Sequence, residues 1–458
     1  MKWKTIVQLT MVHVAVSITV VPVTSTLNRI MIADLGFSAF LVGILVSLPY
    51  LLSPLQVMVG HWADRNPLWG YHRSPWIVIG GMMASFGGYF TAHTVYLMAD
   101  NFVLGLLAAL TAFMTWGLGV NIASVSYLAL LSELSEPQKT ADTPSWRTRS
   151  VSIMWTAMIL TTIVTSLSLS TMLEPFSETA LYTALGAIWL AATILILFGA
   201  AGIEQKSSQQ TTNNTPSRKN PTANQNNYWQ AYQVIRNNPS ARRFFLYLVL
   251  VLVSIHAQDV LLEPFGAEAL GMSVSQTSRL TSIWGLGVFI TLLGGIGLIR
   301  VWGKKKSANI GAIIAAIAFA LIIIAGLQGL ATFFMGAIFL LGLGGGLMTI
   351  SNLSFMLDMT LPQASGLYIG AWGVANFAGQ ALGNIVSGLL RDIVYRITAD
   401  PVLGYITVFG LEIVGLLVAV IAFRTISVTT FQADAQRDAF LFQSEETNHD
   451  LTTVIETI

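Results

Sequence analysis

Apolar runs of about 20 residues or more recur along this chain of 458 residues, and no other feature constrains its fold as tightly. In the first half they lie at roughly 4–28, 38–62, 74–98, 102–131, 149–172 and 179–202. The second half adds 242–262, 275–299, 307–329, 331–357, 366–391 and 401–424. A helix of about 20 apolar residues crosses the ~30 Å hydrocarbon core of a bilayer. Composition agrees: 10% of residues are charged and 54% hydrophobic, against roughly 25% charged in an average protein, and the mean hydropathy is +0.68. The expected class is an all-α, polytopic membrane protein. The first run continues without a small-residue cleavage pattern, so it reads as a retained helix and not a signal peptide. With no cysteine, disulfide, thiolate and Cys-ligated metal chemistry are excluded, and a net charge of +1 gives no argument for nucleic acid.

The runs divide into two sets of six. Residues 203–240 between them include SSQQTTNNTPSRKNPTANQNN, a polar low-complexity stretch that cannot bury enough surface to fold. Its end places Tyr228, Trp229, Tyr232 and Ile235 on one face of a short helix suited to the membrane surface. The expected organisation is a six-helix bundle over 1–202, a linker over 203–240, a second bundle over 241–424 and a tail over 425–458. The tail sets Asp434, Asp438, Glu445, Glu446, Asp450 and Glu456 against Arg437, and reads either as a solvated segment or, through Phe431, Phe440, Leu441 and Phe442, as a docking helix. With the N-terminus inside, the inner connections hold 19 Lys and Arg and the outer ones 4, so both termini are expected in the cytoplasm.

The least lipid-like stretch is His256 to Gly287. His256, Asp259 and Glu263 are spaced i, i+3, i+7, on one face if the helix continues, with Pro264 and Gly266 expected to stop it on the outer side. Ionisable groups at the end of a membrane helix mark a functional site, or are interfacial residues wetted by headgroups. Gly60, Asp64, Arg65 and Arg73 form a candidate cytoplasmic gate after the second run, with Asp358 and Gly366 near the helix start it would meet. On the eleventh run Trp372, Asn376 and Gln380 recur every four residues, and line a helix seam or a cavity wall. His13 belongs to a mildly polar stripe with Thr10 and Ser17, and with Thr24 and Asn28 further along, either as a helix–helix hydrogen-bonding residue or as an axial ligand. Glu412 is the one deep carboxylate, a proton site or a protonated acid bonded to a neighbouring helix. WGLGV occurs at 116–120 and, with Trp284, at 284–288, a pattern of close helix packing; LEPF occurs at 173–176 and 262–265. No nucleotide loop, serine elbow, paired-carboxylate motif or metal-ligand cluster stands in plausible context, so neither an ATP-driven pump nor an enzyme is expected. A cavity rich in Trp, Phe and Met with few fixed charges suits a large lipophilic molecule better than a sugar.

Six helices, a cytoplasmic linker and six more resemble the plan of the major facilitator superfamily, two bundles flanking a cavity. Within it, QDVLLEPFGAEALGMSVSQTSRLT, the run FMLDMT followed by GLYIGAWGVANFAGQALGN, and SELSEPQKTADTPSWRTRSVSIMW resemble the PucC-type bacteriochlorophyll-delivery branch over about residues 10–424. Departures are Phe265 and Ala267, where tyrosine and glycine are expected, and the long linker. The resemblance implies about twelve transmembrane helices and a place in a photosynthetic membrane, thylakoid or intracytoplasmic. It further implies a chlorophyll-type pigment as cargo with no intrinsic cofactor, and light-harvesting or photosystem polypeptides as partners alongside membrane lipid. The magnesium of such a pigment takes an axial ligand, for which His13, His256, Gln258, Asn376 and Gln380 are candidate donors, with Asp259, Glu263, Trp284 and Trp372 around them. A proton-coupled exporter of a lipophilic molecule, dependent on Glu412, and a pigment-free chaperone using the eleventh helix are the alternatives.

Overall fold

The structure, a computed structural model, describes residues 3–134, 146–204, 238–360 and 365–434. The expected surface helix at 228–237, the connection at 135–145 and the tail beyond 434 lie outside these. In the first half the helices are α1 (Trp3–Val21), α2 (Ala39–Leu51), α3 (Leu55–Arg65), α4 (Ser74–Asp100), α5 (Phe102–Leu134), α6 (Trp146–Met172) and α7 (Glu178–Ala200). The second half holds α8 (Pro239–His256), α9 (Leu262–Leu270), α10 (Val274–Trp302), α11 (Lys304–Gln328), α12 (Ala331–Asp358), α13 (Ser365–Thr398) and α14 (Pro401–Arg424). Among the described residues nine segments are long and apolar enough to cross a membrane. α4 and α13 match them in length, and α2–α3 forms one further, broken pass.

Three passes are interrupted, each for a local reason. After α1 the chain widens into π-helical turns at Pro22–Leu27 and Ile30–Asp34, beginning at a proline that has no N–H to give. α2 carries Pro49 and ends at Leu51, and α3 restarts after Pro54. α8 ends at His256, a 3-10 turn spans Ala257–Val260, and α9 resumes at Leu262. Pro264 and Gly266 therefore do not stop a helix, contrary to the sequence expectation. Pro264 falls in the first turn of α9, where no intrahelical partner for its missing N–H is required, and the stop is Gly271 in the left-handed region at φ 63°.

Helices α1 to α7 pack together, as do α8 to α14. The repeated WGLGV marks close approach in both sets. A Cβ on Gly119 would lie 2.2 Å from the Ala84 nitrogen, and one on Gly287 would lie 2.5 Å from the Phe339 carbonyl oxygen. The described start of the tail packs one side against the second bundle: Phe431 is fully buried with its ring 5.2 Å from that of Tyr368, and Ser240 Oγ donates to Asp434 at 2.8 Å.

The two bundles meet along two seams, α2 against α13 and α6 against α10. We call the end holding Trp3, Asn238 and Arg424 the near end, and that holding Asp34, Gly271 and Asp400 the far end. The hydrogen bonds described between bundles cluster toward the far end. Thr26 and Ser278 hydroxyls pair at 2.8 Å, Ser166 Oγ donates to the Ser278 carbonyl at 2.6 Å, and Ser275 Oγ donates to Glu174 at 3.0 Å. On the other seam Asp392 accepts from Ser38 Oγ at 2.6 Å and from the backbone N–H groups of Ala39 and Phe40 at 3.2 and 3.0 Å, capping α2 from the opposite bundle.

Candidate functional site

Below this seal, between the bundles, lies a cavity of about 360 Å³ walled by α1, α2 and α6 on one side and by α8, α9, α10 and α13 on the other. Its apolar wall includes Val20, Val21, Val46, Met158, Ile159, Leu262 and Trp284, and its polar wall gathers at the break between α8 and α9.

The break is built by both bundles. A 3-10 turn leaves backbone carbonyls without helical partners, which in a membrane must be satisfied by other protein groups. Asn28, at the end of the first π-helical turn, reaches across to donate its amide to the Val260 carbonyl at 2.9 Å. Gly383 lets α13 lie against the turn, since a Cβ there would sit 3.1 Å from the Ala257 nitrogen. His256 Nδ1 lies 2.7 Å from Asp259 Oδ2, and the other Asp259 oxygen accepts from the amide of Gln258, itself buried. Four residues on, Glu263 is buried, and the Thr281 hydroxyl bridges its Oε1 at 3.1 Å and Ser25 Oγ at 2.9 Å. His256, Gln258, Asp259, Glu263, Trp284 and Gln380 thus border one cavity. They line its closed end and not an outer mouth, a correction to the sequence reading that follows from the far-end hydrogen bonds.

The remaining candidates are elsewhere. His13 lies inside the first bundle, its Nδ1 2.6 Å from Tyr127 Oη and its Nε2 buried with no hydrogen-bond partner among the described residues. Tyr127→Phe is expected to destabilise the protein by about 1–3 kcal/mol, by leaving a second buried imidazole nitrogen unpaired, and to leave ligand retention unchanged. Thermal unfolding and retention measured on one preparation check both. Trp372 is 1% exposed, donates Nε1 to the Met359 carbonyl at 3.2 Å and packs 4.8 Å from the Phe244 ring, so it belongs to a seam of the second bundle. Asn376 is exposed and accepts from Gln380 without bordering the cavity. The stripe read on the eleventh run therefore divides among seam, surface and cavity.

At the near end the described ion pairs stay within bundles. Arg73 pairs with Glu133 at 2.8 Å, while Glu204 accepts from the backbone N–H groups of His72, Arg73 and Ser74, starting α4. Asp358 pairs with Lys304 at 2.7 Å. Gly60 packs near Val125, Arg65 is exposed at the end of α3, and Gly366 lies in the first turn of α13. The Asp64 side chain and the surroundings of Gly366 lie outside the described residues. Glu412 on α14 is 2% exposed with neither oxygen hydrogen-bonded among the described residues, and the Gln258 backbone N–H and Asp259 are the groups that face it.

Other residues here carry no local signal in the sequence. Asn384 and Asp392 are polar residues within apolar runs, the first on the cavity wall and the second bonded to the other bundle, whereas Asn28 stands at the end of the polar stripe of the first run with its partner in the other bundle. Arg29 and Arg391, counted from sequence as outer-loop cations, are buried within helical segments, at 7% and 6% exposure. Arg29 pairs with Asp34 and donates to the Met272 carbonyl across the seam, and Arg391 pairs with Glu268 at 2.8 Å.

Two helical bundles around a cavity sealed at one end give this membrane protein a transporter-type fold. The fold is similar to the nucleoside transporter NupG, with a TM-score of 0.65 at 16% identity over 93% of this chain and 99% of that one. It is also similar to a bacterial homologue of the human lysosomal transporter Spinster in an inward-facing, unoccupied conformation, with a TM-score of 0.68 at 15% identity over 95% and 99%. Such identities carry the fold alone. Residues 26–431 match the family described as PUCC protein, and the chain belongs to that family. Its relatives include Protein PucC of Cereibacter sphaeroides, 28% identical over 89% of this chain and 88% of that protein. Protein PucC of Rhodobacter capsulatus is 26% identical over 91% and 90%. The protein named bacteriochlorophyll synthase 44.5 kDa chain in Rhodobacter capsulatus is 26% identical over 91% and 94%.

Proposed function

We propose that this protein holds a chlorophyll-type pigment between its bundles and hands it to a light-harvesting or photosystem polypeptide as the complex is assembled. The observation that carries the reading is the cavity: an apolar wall with Trp284 and Met158, and one imidazole, His256, at its polar end. A flat apolar macrocycle with one coordinating metal asks for that combination, whereas a sugar or nucleoside asks for dense hydrogen bonding. Membership of the PUCC protein family and the photosynthetic names of its relatives support the same reading. At about 360 Å³ the cavity is smaller than a whole pigment with its hydrocarbon tail. The tail is accordingly placed between helices, in lipid, or the bundles part on loading. The near end is placed in the cytoplasm on the excess of Lys and Arg in its connections, in a photosynthetic membrane.

Gentle purification from native membranes tests this, with an absorption spectrum and identification of co-purifying polypeptides on one sample. Chlorophyll-type bands together with an antenna or photosystem subunit are expected. Client without pigment would replace the proposal with a chaperone, and neither, with proton-dependent uptake into vesicles, would replace it with an exporter.

A further inference from the structure

We infer that His256 Nε2 is the axial ligand of the cargo and that Asp259 positions it, so that the cavity selects a metallated tetrapyrrole over the same macrocycle without its metal. The inference rests on the pigment reading above and adds to it the atom that makes the choice.

The geometry separates His256 from every other candidate donor. His13 is outside the cavity with Nδ1 on Tyr127. Gln258 borders the cavity with its amide nitrogen donated to Asp259, leaving only an amide oxygen, a weaker ligand than an imidazole, and Asn376 does not border the cavity. Glu263 is held by Thr281. Asp259 has an oxygen on His256 and the other on Gln258. Gln380 borders the cavity with its amide nitrogen donated to Asn376, leaving one amide oxygen, a weaker ligand for this purpose than an imidazole. His256 is the one histidine on the cavity wall, and its side chain is 28% exposed there.

The state of the ring follows from its partner. With Asp259 as the acceptor of the 2.7 Å contact the hydrogen sits on Nδ1, and a neutral ring then carries its lone pair on Nε2, which has no hydrogen-bond partner among the described residues. Carboxylate to imidazole to metal is the recurring arrangement by which proteins orient a histidine ligand and raise its basicity. Here the local fold supplies it: α8 ends at His256, and the 3-10 turn brings Asp259 back under the ring while Gln258 braces the far carboxylate oxygen. A regular helix would place the pair at the same spacing, but the turn also presents it at the closed end of the cavity.

The test uses the full chain in lipid nanodiscs, titrated separately with chlorophyll a and with pheophytin a, the metal-free macrocycle. Wild type is expected to prefer chlorophyll a and to show the band shift of an added axial ligand. His256→Ala should abolish both while leaving pheophytin a binding unchanged. Asp259→Ala should weaken chlorophyll a by about tenfold, the usual effect of removing a histidine ligand's carboxylate partner. His256→Gln, which keeps a donor, should retain part of the preference and guards against a folding defect in the alanine variant. Equal binding of the two pigments by wild type, or a preference that survives His256→Ala, overturns the inference and leaves the pigment reading standing. Failure of wild type to bind either overturns the pigment reading and this inference with it.

Discussion

Asp392→Ala will unseal the far end of the cavity. Its carboxylate crosses from α13 to cap α2, accepting from Ser38 Oγ and from the N–H groups of Ala39 and Phe40, and it also accepts from Arg391 at 3.2 Å. Hydrogen bonds to a charged group are worth about 1.5–3 kcal/mol each, and the carboxylate additionally meets the positive end of a helix dipole. Even a net change of ~1.4 kcal/mol alters the open population tenfold. The chain has no native cysteine, so one cysteine placed at Thr24, on the cavity wall, reports access without background. In wild type it should be protected from a membrane-impermeant thiol reagent applied at the far side, and in the Asp392→Ala background it should react at least about tenfold faster. Equal protection in both would show that the seal does not depend on this cap. Close packing on the same seam sets a limit on how far the bundles part in this state, since a Cβ on Gly388 would lie 2.3 Å from the Ala39 carbonyl oxygen.

Arg391→Ala is expected to be the most destabilising single change in the charged network at the far end. The guanidinium is 6% exposed, pairs with Glu268 and Asp392, lies 3.3 Å from Tyr405 Oη and stacks 4.9 Å from that ring. Removing it leaves buried Asp392 and half-buried Glu268 without their shared cation, and breaking a buried pair on one side costs about 3–5 kcal/mol. Lysine keeps the charge but not the fork that reaches two acids and a phenol, so Arg391→Lys should recover only part of the loss. Unfolding of the purified protein measures both. A loss for the alanine variant below about 1 kcal/mol, the range of an exposed pair, would mean that the network contributes little.

The fold was legible because the constraint behind it is simple. A run of about 20 apolar residues has one economical solution in a bilayer, and twelve such runs with a polar break in the middle define two bundles. The acidic turn at the end of α8 was legible for a related reason: His256, Asp259 and Glu263 are out of place in an apolar run, and their spacing brings them to one wall. What a local pattern could not show was the depth of that wall. Placing it at the outer mouth ignored the seal, whose members pair across 252 and 354 positions of sequence, as Thr26 does with Ser278 and Ser38 with Asp392. Pro264 was misread as a stop because the 3-10 turn before it, which turns a helix interior into a helix start, has no composition of its own. His13 and Trp372 show the opposite failure, since a polar atom inside an apolar helix serves a seam as readily as a ligand, and only the partner, Tyr127 or the Met359 carbonyl, tells which.

On the proposed function, one pigment occupies a defined place between the bundles. Equilibrium titration of the full chain in nanodiscs with chlorophyll a, against empty nanodiscs of the same lipid, measures this most directly. A saturable component is expected that appears only with the protein and is lost when the cavity is filled by Ser25→Trp, a substitution on its wall. Uptake that rises linearly and equally in both, as pigment dissolving in lipid would, contradicts it.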